Sequence, residues 1–278
     1  MVEKHVTLIP YGGLANRMKA IESLLHLLGD AEAEGMFVWF RDKGLNCRFD
    51  QLFQPLPVKG LIQKEAAFAD LFLYDRPRLK NFYIPSLFQQ LFYRDCLHEN
   101  EVTQRFYGHF DFKEWVRTRN NVYLSSCILF YRDPHKRLFA HFHPLPHLQE
   151  KIDAVCATFS SYTLGVHIRR TDNTRAIEKS PTSLYIQKME EEIDKHPDVK
   201  FYVASDSLEE KKRLSVCFPN RIVTMDKSTS RSTIEGMQDA LVELYILSRT
   251  HAVLGSPYSS YAETAALIGD IPFEKMTL

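Results

Sequence analysis

The chain has 278 residues, enough for about two domains, and its 45% hydrophobic and 25% charged residues are those of a globular protein. Its 35 basic residues balance 35 acidic ones, so no net positive field would attract nucleic acid at long range. Five scattered cysteines without a C-x-x-C pair, no signal-like N-terminus and no apolar run of about 20 residues predict a cytoplasmic protein without stable membrane insertion.

The N-terminal half begins with a clear alternation of strand and helix. We predict a strand at 6–10, a helix at 14–28 and a second strand at 37–40. From 44 to 140 the pattern breaks into short aromatic-rich pieces with several prolines, and we predict only mixed α/β structure there. Most of its aromatic residues are predicted to be core, among them Phe88 and Phe92, although one or two could line an acceptor groove.

The domain boundary is predicted at HFHPLP, residues 141–146, where two prolines interrupt the chain before a helix at 147–159. This gives an N-terminal domain over 1–145 and a C-terminal domain over 146–278. The segment also contains His141 and His143, with His147 close behind, a spacing that resembles a metal site. We interpret it as a linker, because the prolines break any element that would present the three histidines together.

The C-terminal half has a regular rhythm. Strands are predicted at 162–168, 200–204, 221–224 and 251–255, and helices at 181–195, 208–216, 234–248 and 260–268. Strands alternating with helices of this length predict a parallel sheet that is covered on both faces.

The sharpest motif is HIRRTD, residues 167–172, directly after a predicted buried strand. Open α/β sheets bind ligands at this carboxyl end of their strands. Because side chains alternate along a strand, His167 and Arg169 share one face and Arg170 takes the other. One guanidinium can then bind a phosphate while the other pairs with Asp172 or packs structurally. The alternative is a solvated basic turn.

A second motif, GSPYSSYAE at 255–263, follows a strand and opens a helix. Free amides and the positive end of the helix dipole make such a turn a natural cradle for a diphosphate. Ser260 and Glu263 also have the spacing of a capping box, which needs no ligand. Both interpretations hold together if Ser259 contacts the ligand and Ser260 caps the helix.

The motifs HIRRTD, VASD, LVEL and SPYSS occur in this order between residues 165 and 269. This order resembles the nucleotide-binding half of the fucosyltransferase superfamily, which includes the α-1,6- and protein O-fucosyltransferases. The resemblance implies a GT-B-like α/β fold of two Rossmann-like domains, with the donor site in the C-terminal domain and the acceptor side in the N-terminal one. It also implies an inverting enzyme that transfers L-fucose from the donor GDP-fucose to a hydroxyl of a glycan acceptor without a metal ion.

The resemblance assigns a role to each motif residue by position. Arg169 corresponds to the arginine that holds the β-phosphate, and His167 to a histidine near the guanine end. Asp206 corresponds to an acid that orients this arginine, although it could instead cap the helix that follows. Ser259 and Ser260 match serines that contact the phosphates.

Glu243 stands where the family has an aspartate that recognises guanine. A carboxylate accepts two N–H bonds from the Watson–Crick edge of guanine, so glutamate keeps the chemistry and lengthens the reach. A solvated helix residue is the alternative. The weaker match here leaves a second function open: a nucleotide or glycan sensor of the same fold without turnover.

Transfer also needs a general base for the acceptor hydroxyl. Glu178 lies close to where the α-1,6 relatives place theirs, and Asp172 is its competitor. Neither D-x-D nor H-E-x-x-H occurs in the sequence, so we expect no metal.

The glycine turn GGLANR, residues 12–17, resembles the N-terminal turn of the same superfamily, which faces its interdomain cleft. The resemblance implies that Gly13, Asn16 and Arg17 contact donor or acceptor. An ordinary strand-to-helix turn is the alternative.

Overall fold

The protein is described by a computed structural model that covers residues 4–75, 84–170, 174–225, 230–257 and 259–278. The chain divides into two compact units, Met1–His143 and Pro144–Leu278, close to the boundary predicted at 145. No helix within these ranges is long and apolar enough to cross a bilayer.

The N-terminal unit is built on a five-stranded parallel sheet. Its strands are β1 (His5–Pro10), β2 (Glu34–Trp39), β3 (Leu61–Glu65), β4 (Asp95–Leu97) and β5 (Asn121–Ser126), in the order β3-β2-β1-β5-β4. Its helices are α1 (Leu14–Ala31), α2 (Ile84–Phe92), α3 (Glu99–Tyr107) and α4 (Phe112–Arg117). The central helix α1 is buried along most of its length against β1, β2 and α4.

The C-terminal unit repeats this architecture. Its helices are α5 (Pro146–Cys156), α6 (Thr174–Lys179), α7 (Thr182–Lys195), α8 (Leu208–Cys217), α9 (Ile234–Leu247) and α10 (Ser260–Gly269). Its strands are β6 (Thr163–Ile168), β7 (Lys200–Ser205), β8 (Ile222–Thr224), β9 (Val253–Gly255) and β10 (Phe273–Lys275), all parallel in the order β10-β9-β6-β7-β8. The α/β fold is confirmed, and β10 is an addition that the sequence pattern did not predict.

Side-chain alternation on β6 gives the two faces of this sheet different side chains. Leu164, Val166 and Ile168 belong to an apolar core that also contains Tyr185 of α7. The residues between them belong to the opposite face, where Gly165 lets α9 approach closely: a Cβ atom there would lie 2.9 Å from Leu247. The same face carries His167, so β6 has an apolar side for the core and a polar side at its carboxyl end.

Candidate functional site

The carboxyl ends of β6, β7 and β9 meet at one edge of the C-terminal sheet. Ile168 pairs with Ser205, and His167 pairs with Gly255. Because the strands are parallel, Arg169, Asp206 and Ser256, which directly follow them, lie within one residue of the same level. The structure therefore brings the three C-terminal motifs together, at the edge where α/β sheets bind ligands.

The two adjacent arginines have different environments. The guanidinium of Arg170 donates to the carbonyl of Arg169 (2.8 Å). It also donates to the Ser180 carbonyl (3.0 Å) and the Thr182 hydroxyl (2.9 Å), with Glu210 at 3.7 Å. Arg170 is therefore structural. Asp172, its predicted partner, lies outside the described residues.

Arg169 is held at its backbone. Its amide donates to the Ser256 hydroxyl (3.2 Å), and that hydroxyl is 2.9 Å from the Tyr185 hydroxyl. Arg169 is half-buried. Since Arg170 is also half-buried and makes three hydrogen bonds, the motif is not the solvated basic turn that the sequence left open.

Asp206 stabilises the turn that carries both arginines. Its Oδ1 accepts a hydrogen bond from the backbone amide of Arg170 at 2.7 Å. The helix-capping alternative is wrong, because Ser207 is the N-cap of α8 and its hydroxyl accepts from the Glu210 amide. A carboxylate on this amide fixes the direction in which the chain leaves β6.

His167 is buried beneath this edge. Its ring centroid lies 5.0 Å from that of Tyr261, and no described residue hydrogen-bonds its buried Nδ1. Burial lowers the pKa of His167 to about 4, and the charge of Arg169 acts in the same direction. The imidazole is therefore neutral near pH 7. Buried polar atoms are rarely left unpaired, so this nitrogen is a candidate for a hydrogen bond to a ligand.

The turn after β9 shows a second unpaired atom. Ser259 is the N-cap of α10, its side chain makes no capping bond, and its buried Oγ has no partner among the described residues. Ser260 is the first residue of the helix, so the capping box predicted at Ser260 and Glu263 is wrong. The Ser259 hydroxyl is thus available beside the free amides of a helix N-terminus.

Glu243 is buried on α9 and is not the solvated helix residue that the sequence left open. The Nζ of Lys211, from α8, lies 2.6 Å from its Oε1 and also donates to the Met225 carbonyl. Burial raises the pKa of Glu243 to about 7, while Lys211 opposes the rise. One carboxylate oxygen is therefore already committed to a lysine.

Two residues of this region were missed by sequence reasoning. Lys211 is 1% exposed, yet it stands in the charged run EEKKR, which looks like a solvated helix face. Asp239 is also buried, one turn before Glu243 on α9. Its spacing of four residues from Glu243 was a usable signal, since it places both carboxylates on one helix face.

The proposed general base, Glu178, lies exposed on α6. It comes two residues before Ser180, whose carbonyl accepts from Arg170. That bond ties the end of α6 to the arginine motif.

In the N-terminal unit, the glycine turn is locked by Arg17. The guanidinium is fully buried and donates to the carbonyls of Gly12 (3.0 Å) and Phe40 and to Asp42 (2.7 Å). Burial lowers its pKa to about 10, which Asp42 opposes. Arg17 therefore supports the turn and does not present its charge to a ligand, contrary to the prediction. Gly13 and Asn16, at the start of α1, are half-buried.

The histidines of the boundary segment, His141, His143 and His147, are each exposed. In the part of the chain that the structure describes, no group of three His, Cys, Asp or Glu side chains could hold a metal ion.

Comparison with known proteins places this geometry in a wider context. No family model matches the chain, and neither does any curated protein. Among solved structures, fucosyltransferase NodZ from Bradyrhizobium matches with a TM-score of 0.64 at 19% identity, over 96% of this chain and 94% of that one. The fold is that of solved fucosyltransferases. The predicted resemblance and the GT-B-like fold are thereby confirmed.

Two further fucosyltransferases share this fold. POFUT1 in complex with GDP matches with a TM-score of 0.59 at 12% identity, over the whole of both chains. FUT1 from Arabidopsis thaliana in complex with GDP matches with a TM-score of 0.63 at 16% identity, over 98% of this chain and 70% of that one. The α-1,6-fucosyltransferase NodZ has also been solved after soaking with GDP-fucose, and this chain resembles it with a TM-score of 0.65.

Proposed function

We propose that the protein is a glycosyltransferase that transfers L-fucose from GDP-fucose to a hydroxyl of a glycan or glycoconjugate. The observation that carries the proposal is the pair of buried, unpaired polar atoms, His167 Nδ1 and Ser259 Oγ, at the strand edge that bears Arg169. The shared fold of GDP-bound fucosyltransferases supports the choice of donor.

The diphosphate of the donor binds at the carboxyl edge of the C-terminal sheet. The guanidinium of Arg169 binds the β-phosphate with two hydrogen bonds. The backbone amides at the start of α10 bind the remaining phosphate oxygens, and the hydroxyls of Ser259 and Ser260 lie beside them. Asp206 and Arg170 fix the backbone on which Arg169 stands. Arg170 makes three hydrogen bonds within the unit, so one arginine meets the ligand and the other holds the turn.

Transfer proceeds with inversion. The acceptor oxygen forms a bond to the anomeric carbon while the bond to the GDP oxygen breaks, and its electron pair leaves with the β-phosphate. Arg169 and the N-terminus of α10 stabilise this charge, so the reaction needs no metal ion. The acceptor proton passes to a carboxylate, Glu178 or Asp172.

The nucleoside binds over the face of the sheet that carries His167 and α9. A neutral imidazole can exchange a hydrogen bond with the nucleoside at Nδ1 without placing a charge there. Glu243 recognises the Watson–Crick edge of guanine with the carboxylate oxygen that is not bonded to Lys211. Lys211 holds that carboxylate in position in this arrangement.

The N-terminal unit provides the acceptor side, with Gly13 and Asn16 at the start of α1 as ligand contacts. All five cysteines are free thiols, which supports work in the reducing cytoplasm.

A second candidate is a nucleotide or glycan sensor that keeps the fold without turnover. The observation that favours it is the Lys211–Glu243 ion pair, which takes half of the hydrogen-bonding capacity of the predicted base-recognition residue. Turnover separates the two candidates: only the enzyme releases GDP from GDP-fucose faster when acceptor glycans are added.

Calorimetric titration with GDP, ADP and UDP in the presence of a chelator tests the donor site. We expect GDP to bind most tightly and Arg169→Ala to weaken binding by about 10- to 150-fold, the range for losing a charge-assisted hydrogen bond. Arg249→Ala is the matched control, because Arg249 is an exposed arginine of the same unit that pairs with Asp153.

Failure of the folded protein to bind any of the three nucleotides would contradict the donor site. Preference for ADP or UDP would keep the site and overturn GDP-fucose as the donor. Equal binding by Arg169→Ala and the wild type would remove Arg169 from the site.

A further inference from the structure

Apolar side chains reach the surface of the N-terminal unit in different settings. On α2, Phe88 and Phe92 are exposed, which corrects their assignment to the core. Beside α1, apolar side chains line a cleft together with basic ones. The cleft combines a volume, an apolar lining and a charge that together indicate the chemistry of a ligand.

The cleft has a volume of about 530 Å³ and lies beside the C-terminal half of α1. It is enclosed by α1 and by the segments 57–59 and 136–141, all within the N-terminal unit. Its apolar lining consists of Leu25, Leu28, Ala33, Pro57, Val58 and Ala140. Small-molecule sites in proteins have volumes of about 300–1,000 Å³ and a mostly apolar lining with a few polar groups. The cleft has both properties.

The charged side chains of the cleft are all basic. Lys59, Lys136 and Arg137 line it, and no aspartate or glutamate of the described ranges does so. The charge of Lys136 is compensated, because its Nζ lies 2.8 Å from Asp30 and 3.1 Å from Asp133. The side chains of Lys59 and Arg137 are exposed and have no hydrogen bond or ion pair with any described residue. Two cations therefore remain for a ligand.

The segment 133–139, which carries two of the basic side chains, is fixed to α1. The backbone amide of Asp133 donates to Nδ1 of His26 at 2.8 Å, and that of Phe139 donates to Oε1 of Glu22 at 2.7 Å. The same glutamate oxygen lies 3.0 Å from Nε2 of His26, and both side chains are buried. Because this backbone is already ordered, a ligand that binds here loses less affinity to the ordering of the chain.

The cleft is separate from the glycine turn at the other end of α1. The helix begins at Leu14 and, at 1.5 Å per residue, Leu28 lies roughly 20 Å further along its axis. Gly13 and Asn16, the proposed ligand contacts of this unit, are at the start of the helix. A ligand in the cleft would therefore occupy a second site.

We propose that this cleft binds a soluble small molecule with an apolar body and a phosphate group. The apolar body lies against the leucines of α1 and Val58, and the phosphate accepts hydrogen bonds from Arg137 and Lys59. His141, which also lines the cleft, can donate another. A phosphate monoester carries a charge of about −1.5 to −2 near pH 7, which matches the two cations without partners.

Calorimetric titration of the full chain with three matched probes tests this site. Octyl phosphate has both features of the ligand, inorganic phosphate lacks the apolar body, and octyl glucoside lacks the charge. Each is used below the concentration at which it forms micelles. We expect octyl phosphate to bind at least about tenfold more tightly than either of the other two.

Substitutions in the cleft give an independent readout. Arg137→Gln removes one of the two free cations and should weaken octyl phosphate binding about tenfold, and Val58→Asp should do the same by adding a negative charge. Arg132→Gln is the matched control, because Arg132 is an exposed arginine of the same unit that does not line the cleft. None of the three side chains is buried, so each variant should keep the circular dichroism and the GDP affinity of the wild type.

Arg169→Ala separates this site from the proposed donor site, since it should weaken GDP binding and leave octyl phosphate binding unchanged. The proposal is overturned if the folded wild type does not bind octyl phosphate, or if Arg137→Gln and Val58→Asp bind it undiminished. Equal binding of octyl glucoside would remove the phosphate from the proposal. Loss of octyl phosphate binding in Arg169→Ala would assign the probe to the donor site and overturn the second site.

Discussion

His167 shows how one position in the fold sets the charge of a residue. It is the last residue but one of β6, packed against Tyr261, and burial holds its pKa at about 4, against an ordinary value of 6.5. The unfolded chain binds a proton to this imidazole below pH 6.5, whereas the folded chain does so only near pH 4. Between these values the unfolded state carries more protons, so the stability from His167 is lost as pH falls.

We therefore predict that His167→Phe reduces the acid sensitivity of folding. Phe keeps a ring of similar size against Tyr261 and removes the titration. Between pH 6.5 and 4, the free energy of unfolding of the wild type should fall by up to about 3 kcal/mol more than that of the variant. Urea titrations at several pH values measure this difference.

Comparison with the variant is needed because the raised pKa of Glu243 acts in the opposite direction, making the protein less stable as pH rises from about 4.5 to 7. His147→Gln, an exposed histidine of the same unit, is the control and should keep the wild-type slope. Parallel pH profiles for wild type and His167→Phe would contradict a buried neutral histidine.

For individual residues, the sequence predicted side-chain contacts well only where alternation along a strand fixes which face each side chain takes. Alternation along β6 separated Arg169 from Arg170, and the structure gives Arg170 the packing role. Lys211 and Arg17 could not be predicted in this way. Each is a cation whose burial depends on a carboxylate distant in sequence, Glu243 and Asp42 respectively, and only the fold brings these partners together.

Among the elements, the joint between β9 and α10 is the most tightly built part of the candidate site. A Cβ atom at Gly255 would lie 2.5 Å from the Ala262 side chain and 2.6 Å from the Phe273 ring. Glycine therefore allows α10 to start close to the sheet edge, where Ser259 and the free amides lie.

We predict that Gly255→Ala destabilises the protein by about 1–3 kcal/mol, because the added methyl group overpacks this joint. It should also weaken GDP binding, since α10 must shift away from the strand edge. Denaturant unfolding and calorimetry measure the two effects.

Gly13→Ala is the matched control, because nothing lies within 4 Å of a Cβ atom at Gly13. Gly13 is the N-cap of α1, where alanine is less favourable than glycine, so the free energy of unfolding of this variant should fall by at most about 1 kcal/mol. Wild-type stability in Gly255→Ala would show that α10 adjusts freely and is not fixed by this contact.

The elements of the C-terminal half were predictable because β6 and β7 are short, buried, largely apolar runs between helices. The pattern failed between residues 44 and 140 for physical reasons. β3 reads LIQKE and β4 is only three residues long, so neither shows a strand signal. α2 misled the assignment of core residues because its apolar side chains face outward. β10 was missed because it too is only three residues long.

On the scale of the whole molecule, each unit has its own parallel sheet and its own apolar core. The prolines of residues 141–146 predict a division of the chain there, since they interrupt any continuous element. The fold class followed from the strand–helix rhythm of the C-terminal half. The N-terminal sheet could not be predicted from such a rhythm, because it is built partly from short polar strands.

We predict that GDP stabilises the chain through the C-terminal unit. A ligand at 100 times its dissociation constant adds about 2.7 kcal/mol to the stability of the state that binds it. Hydrogen exchange followed by mass spectrometry should show slower exchange in peptides covering β6, β9 and the start of α10. Arg169→Ala at the same GDP concentration should show weaker slowing, because its affinity for GDP is lower. Slowing confined to the N-terminal unit would contradict the placement of the donor site.

The Lys211–Glu243 pair also limits how this sequence can evolve. Removing either partner leaves a buried charge uncompensated, at a cost of about 3–5 kcal/mol. That is a large share of the 5–15 kcal/mol by which a typical protein is stable. A lineage that exchanges the pair for apolar side chains must cross a poorly folded intermediate, whichever position changes first. The two charges are therefore inherited together, and homologues should differ at both positions or at neither.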